Sequence, residues 1–239
     1  MFEDMKTTTL PPFSIKMLRI PIAFILGIWF IYWVEIRFGL NFTKYGVLPR
    51  NLTGLKGVVF APFIHSGPNH LFNNSVPLGV LLTALVYFYR DVYLRILIVG
   101  GVCTGLVTWM IAREAYHIGA SGLVYLLFSF VFFSGVLKKQ YQLVAVSLIV
   151  IFLYGSMIWY VFPIKEGVSW EGHLAGFTVG LFFAVFYRKK GIVKEAFEFT
   201  QTDFDLLFDA EGNFNPPQRE EDEEAMDLET PQSTEESST

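Results

Sequence analysis

Six long apolar runs, at about 18–38, 70–89, 92–112, 119–137, 141–162 and 171–187, dominate this chain of 239 residues. Each is near the ~20 residues that a transmembrane helix needs. A helix closes its own backbone hydrogen bonds, which lipid cannot do for it. A large soluble core is the competing reading of any one run. Six in a short chain, joined by brief polar links, favour an all-α, polytopic membrane protein with six transmembrane helices. The 53% hydrophobic content understates the bias, because the last forty residues are strongly polar. Met1 to Thr9 is polar, and the first run is too long for a signal-peptide core, so no cleavable signal is expected.

Lys and Arg set the expected orientation. With the N-terminus in the cytoplasm, twelve of the 18 Lys and Arg fall inside and six outside. The tight clusters at Arg90 and Arg95, at Lys138-Lys139 and at Arg188-Lys189-Lys190 then flank the inner ends of the spans. Three segments follow: a cytoplasmic stretch over 1–17, a membrane domain over 18–190, and a cytoplasmic tail over 191–239. The tail holds most of the acidic residues, including Glu220-Glu221-Asp222-Glu223-Glu224, and its final twenty-odd residues read as disordered. Its Phe-rich part, Phe197 to Phe208, reads as a solvated tail or a short docking segment. No basic surface suggests nucleic acid. Cys103, the only cysteine, sits mid-run and reads as a small packing residue. The long first outside loop, about 39–69, is apolar enough at Val58 to Ile64 to argue against disorder.

The even-numbered spans run from outside to inside, and each opens on polar residues. His65, His70, Asn73 and Asn74 lie at the start of the second span, Ser121 at the start of the fourth and His173 at the start of the sixth. All three clusters therefore share one depth near the outer face. Taken singly, a serine bonds back to its own helix and a histidine glues helices together. Taken together, they suggest a site, since polar groups at membrane depth face a bundle interior or a wet cavity. A serine hydroxyl is a weak nucleophile until a base accepts its proton, and an imidazole suits that task near neutral pH. The Ser121 amide and the side chains of His70 and Asn74, which share a helix face, could hold an oxyanion.

No acid is placed to complete a triad. Glu171 is two residues from His173 and points elsewhere on a helix, so a Ser121/His173 dyad is expected. Gly172, Gly176 and Gly180 make a small-residue stripe that lets backbones approach closely, and Gly119 and Gly122 flank the serine. Gly101 and Gly105 could do the same for the third span. The serine is not in a nucleophile elbow, because position 123 is Leu and no strand precedes it.

These motifs resemble those of the rhomboid family of intramembrane serine proteases. Gly119-Ala120-Ser121-Gly122 matches the family's G-x-S-G, with Tyr125 one turn on. His173-Leu174-Ala175-Gly176, with Gly180, matches its H-x-x-G-x-x-x-G, and His70 to Asn74 matches its H-x-x-x-N. The resemblance covers about residues 18–188. It implies a six-helix rhomboid-like bundle, with Ser121 as nucleophile, His173 as base, and His70, Asn74 and the Ser121 amide at the oxyanion. It implies that Tyr125 packs on the His173 ring, and that the substrates are membrane proteins cut in or near a transmembrane segment. No metal or cofactor is expected, and the bilayer of a bacterial inner membrane is the expected setting. The oligomeric state is left open. Many members carry a Trp-Arg pair in the first outside loop, where this chain reads Leu55-Lys56-Gly57-Val58, so the loop's geometry is in question. A non-catalytic relative that binds membrane clients and controls their turnover is the alternative. A transporter would show inverted repeats or broken mid-span helices, and neither is evident.

Overall fold

The computed structural model describes residues 12–153, 159–192 and 202–215. The chain divides into two units, Met1–Lys194 and Glu195–Thr239. Among the described residues the first unit is helical: α1 (Arg19–Arg37), α2 (Gly57–Phe60), α3 (Pro68–Phe88), α4 (Tyr93–Ile111), α5 (Ser121–Leu137), α6 (Tyr141–Leu153) and α7 (Trp170–Phe186). No strand forms among these residues, and Val47 and His117 make one isolated antiparallel bridge.

Three segments are long and apolar enough to cross a membrane by length and composition alone: Ile15–Arg37, Pro68–Phe88 and Tyr93–Ile111. α5 and α7 are shorter, with 17 residues each. The fifth apolar run differs from expectation. Its helix ends at Leu153, residues 154–158 lie outside the described residues, and Trp159–Val161 is a 3-10 turn rather than a continuation of the helix. Positions 1–11 and the expected disordered end of the tail also lie outside the described residues.

Burial separates central from peripheral helices. Only 11% of the first span is buried, against 61% of α3. α1 therefore presents Phe30, Trp33 and Ile36 outward, while Leu78, Leu81, Leu82 and Leu85 of α3 are fully enclosed with Leu126, Leu127 and Phe130 of α5. Helices that are apolar all round suit a lipid solvent, where the outer face need not be polar. Three of the buried hydroxyls are satisfied within their own helices. Ser75, Thr108 and Ser147 each donate to the carbonyl four residues earlier. Ser129 instead donates across to the Phe177 carbonyl at 2.7 Å, tying α5 to α7.

That pair of helices is the most closely packed in the first unit, and the glycine stripe explains it. A Cβ built on Gly176 would stand 2.2 Å from the Gly122 carbonyl oxygen, and one on Gly180 would stand 2.3 Å from the Leu126 carbonyl oxygen. The two backbones touch directly, which only glycine permits. Gly105 has a different partner from the one its spacing suggests. A Cβ added there would stand 2.9 Å from Val58 of α2, so the notch seats that residue and docks the loop between α1 and α3 on α4.

The loop itself is ordered. Arg50, at φ 55°, donates its guanidinium to the Ala112 carbonyl at 2.6 Å and its amide to the Trp109 carbonyl at 3.0 Å. Trp109 returns its indole N–H to the Asn51 carbonyl at 2.9 Å. Arg50 and Trp109 thus fasten the loop to the end of α4, although the Trp-Arg pair expected in the loop is missing. In the second unit, Thr202 to Asn215 holds a 3-10 turn, Asp205–Leu207, closed by Thr202–Asp205 hydrogen bonds and a Phe208–Phe214 bridge.

Gly180→Ala forces α5 and α7 apart because the obstacle is a backbone oxygen that cannot rotate away. The expected cost is about 1–3 kcal/mol, read as a lower melting temperature of the detergent-solubilised protein. Gly27→Ala on α1 meets nothing within 4 Å and should leave the melt unchanged or raise it slightly.

Candidate active site

Ser121 is the first residue of α5, and His173 lies in the first turn of α7. The close approach of the two helices brings Ser121 Oγ to 2.9 Å from His173 Nε2. The other ring nitrogen, Nδ1, is 2.7 Å from the carbonyl of Tyr160 in the 3-10 turn after α6. A carbonyl can only accept, so Nδ1 carries the proton and Nε2 is left as an acceptor for the serine hydroxyl. Tyr125, one turn beyond the serine, stacks on the imidazole with ring centroids 4.2 Å apart and planes 16° apart. The ring is therefore held at both nitrogens and on one face.

Gly119 makes the turn into α5. Its φ of +108° is a left-handed value that side chains rarely tolerate, and its amide donates to the Ala61 carbonyl of the first loop at 2.8 Å. A Cβ there would also stand 2.6 Å from His70 Nε2 and 3.5 Å from Asn74 Nδ2. His70 and Asn74 of α3 therefore close around the backbone two residues before the serine. Asn74 is buried, and its Nδ2 has no hydrogen-bond partner among the described residues. Ser66 Oγ lies 3.1 Å from His70 Nδ1; a hydroxyl donating there leaves the proton on the nitrogen nearer Gly119. The Ser121 amide heads a helix, where the first four N–H groups have no partner inside it. The helix dipole places partial positive charge at the same point.

His65 joins the group from the loop. Its Nε2 accepts the Ala120 amide at 3.4 Å, and its ring sits edge-on to His70 at 5.0 Å. Burial, helped by the neighbouring His70, holds its pKa down to about 4, which keeps the accepting lone pair free. Asn73, by contrast, is exposed and does not join the cluster. A cavity of about 50 Å³ opens beside the serine, lined among others by Thr104, Thr108, His117, Ser169 and Gly172. It has room for a small number of waters, and Thr104 Oγ1 is buried there without a hydrogen-bond partner among the described residues.

Two features leave no signal in the sequence: the Tyr160 carbonyl at His173, and a polar network joining Arg113 and His117 to Ser169 and Glu171. A backbone carbonyl has no trace in residue type. Glu171 turns away from His173, as its spacing requires, and meets Arg113 at 3.0 Å. No three His, Cys, Asp or Glu side chains converge as metal ligands among the described residues.

Comparison with known proteins agrees with this architecture. The family model described as Rhomboid domain matches residues 53–190. An uncharacterized protein of Mycobacterium tuberculosis is 31% identical over 171 residues, covering 67% of this chain and 70% of that protein. An uncharacterized protein of Mycobacterium leprae is 32% identical over 158 residues, covering 59% of this chain and 61% of that protein. With its apolar spans and its matching domain, this integral membrane protein belongs to the rhomboid family.

Proposed function

We propose that the protein is an intramembrane serine endopeptidase that cuts membrane proteins in or near their transmembrane segments. The observation that carries this reading is the 2.9 Å contact between Ser121 Oγ and His173 Nε2, with the tautomer fixed from the far side by the Tyr160 carbonyl.

The steps follow from that contact. Ser121 Oγ attacks the scissile carbonyl carbon while its proton passes to His173 Nε2. The carbonyl oxygen becomes an oxyanion, met by the Ser121 amide, Asn74 Nδ2 and His70. The C–N bond then breaks, and the leaving nitrogen takes the proton from Nε2. The acyl ester left on Ser121 is hydrolysed by a water that gives its proton to the same nitrogen. The acid product departs and the serine hydroxyl is restored. Preorganised donors matter most, because charge develops in a site of low dielectric.

The membrane setting is part of the proposal. Six helices, all but the four-residue α2, cross the bilayer. Lys138 at the end of α5 donates to the Lys190 carbonyl just past α7, so the basic ends of both helices lie together, away from the serine. Cation-rich ends face the cytoplasm, which puts both termini there and the site towards the outside. A 17-residue helix rises only about 25 Å, short of the ~30 Å hydrocarbon core. The starts of α5 and α7 then lie below the outer surface, and the cavity beside Ser121, with Thr104, Thr108, His117 and Ser169 in its wall, has room for water at that depth. A bacterial inner membrane is the proposed location.

Ser121→Ala and His173→Ala should each reduce cleavage of a reporter membrane substrate by about 10³-fold or more, with expression and melting temperature near wild type. Mass spectrometry after treatment with a fluorophosphonate should find the adduct on Ser121 alone. A purified, folded protein that never labels and never cleaves would favour the client-binding role instead. Asn74→Ala should lower kcat by about 10²–10³-fold, the usual loss for one oxyanion donor, with KM little changed.

A further inference from the structure

α5 and α7 are clasped along their lengths by glycine contacts, but Ser121 and His173 sit in their first turns, where helices fray. Something must fix those ends. The residues just before each of them do so through a second polar network.

Arg113 follows α4 and begins the connection to α5. Its Nη1 lies 3.0 Å from both carboxylate oxygens of Glu171, and its backbone amide lies 3.3 Å from Oε1. Its Nη2 donates to the Val168 carbonyl at 2.8 Å. Glu171 is 3% exposed and belongs to the first turn of α7, where a carboxylate also complements the helix dipole. Four residues after Arg113, His117 Nε2 donates to the Arg113 carbonyl at 3.0 Å. That acceptor fixes the tautomer, so Nδ1 accepts the Ser169 hydroxyl at 2.6 Å. Burial lowers the His117 pKa and favours this neutral ring. His117 is further pinned by its backbone pairing with Val47, at 2.8 and 2.9 Å.

Ser169 occupies the N-cap of α7, yet its side chain makes no capping hydrogen bond. A serine there normally accepts an amide of its own helix. Here the hydroxyl is turned outward to His117. A local rule is broken in favour of a link between the segments that carry the serine and the base. Such departures tend to mark functional positions.

We propose that Arg113, His117, Ser169 and Glu171 are positioning residues: a polar clamp between the α4–α5 connection and the start of α7 that sets the separation of Ser121 and His173. The clamp grips four residues before the serine and two before the base. Among the described residues, no hydrogen bond joins the side chains of its members to Ser121 Oγ or the imidazole, whose partners are each other and the Tyr160 carbonyl. It rests on the reading of Ser121 and His173 as the reacting pair. Its role follows from the sensitivity of such pairs, since a misplacement of 1 Å costs roughly 10²-fold in rate.

The test uses the full-length protein in detergent, with Ser169→Ala, Ser169→Thr and Glu171→Gln. Ser169→Ala removes one hydroxyl from a half-buried position, and Glu171→Gln keeps shape and removes charge, so both should fold. Each is assayed well below its own melting temperature. Ser169→Ala and Glu171→Gln should lower kcat about ten- to a hundredfold at unchanged KM, and slow fluorophosphonate labelling of Ser121 by a similar factor. Ser169→Thr, which restores the hydroxyl, should recover most of the rate. Wild-type kcat in both Ser169→Ala and Glu171→Gln would overturn the clamp, as would a loss that tracks the melting temperature or appears only in KM. Wild-type protein that neither labels nor cleaves would remove the reacting pair and the clamp together, whereas an active wild type with unaffected variants removes the clamp alone.

Discussion

The contact of two helix backbones, α5 against α7, is the constraint on which the rest of the structure depends. A side chain at Gly176 or Gly180 would hold the axes apart, because the built Cβ positions there fall on carbonyl oxygens of α5. In lipid there is no hydrophobic force to press helices together, so packing and polar links must supply the attraction. The Ser129 bond to the Phe177 carbonyl is one such link inside the interface. The polar residues at and just before the starts of the two helices add others. The helices are thus joined at three levels, and the Ser121–His173 contact in their first turns is the consequence of a close approach that begins several turns further along them.

Much of this is legible in the chain. α1, α3, α4, α5 and α7 reproduce their apolar runs to within about two residues, because a run of apolar residues near bilayer length has few other structures open to it. The polar entries to α3, α5 and α7 are visible as residue types that apolar runs normally exclude. Their convergence can be expected from topology alone, since even-numbered spans start on one side. The fifth run differs in extent: Trp159 to Val161 is as apolar as the helix before it, and hydropathy does not distinguish a helix from a 3-10 turn. The spacing of Gly105 suggests a helix–helix contact, but a loop residue, Val58, fills the notch instead. Pattern reveals where a small residue lies, not what approaches it.

The network of Arg113, His117, Ser169 and Glu171 lies at the opposite limit of legibility. Arg113 reads in the sequence as an outside-loop cation, and Glu171 as an acid too close to His173 to face it. Neither reading predicts that the two meet across 58 positions. The loop between α1 and α3 teaches the same lesson. Its expected Trp-Arg pair is missing, yet Arg50 and Trp109, drawn from the loop and from α4, pin it by hydrogen bonds to main-chain carbonyls. A backbone acceptor is present at every residue, so no composition or spacing announces its use.

The imidazole of His173 takes its orientation from the main chain at Tyr160, where a buried carboxylate would serve in many hydrolases. An acid can be deleted by one substitution; a peptide oxygen cannot. The orientation of the ring is therefore insensitive to what side chain stands at position 160, and it answers instead to where that stretch of peptide lies. Anything that displaces the connection between α6 and α7 would withdraw the acceptor and release the ring to rotate, so the poise of the imidazole is written into the path of the chain.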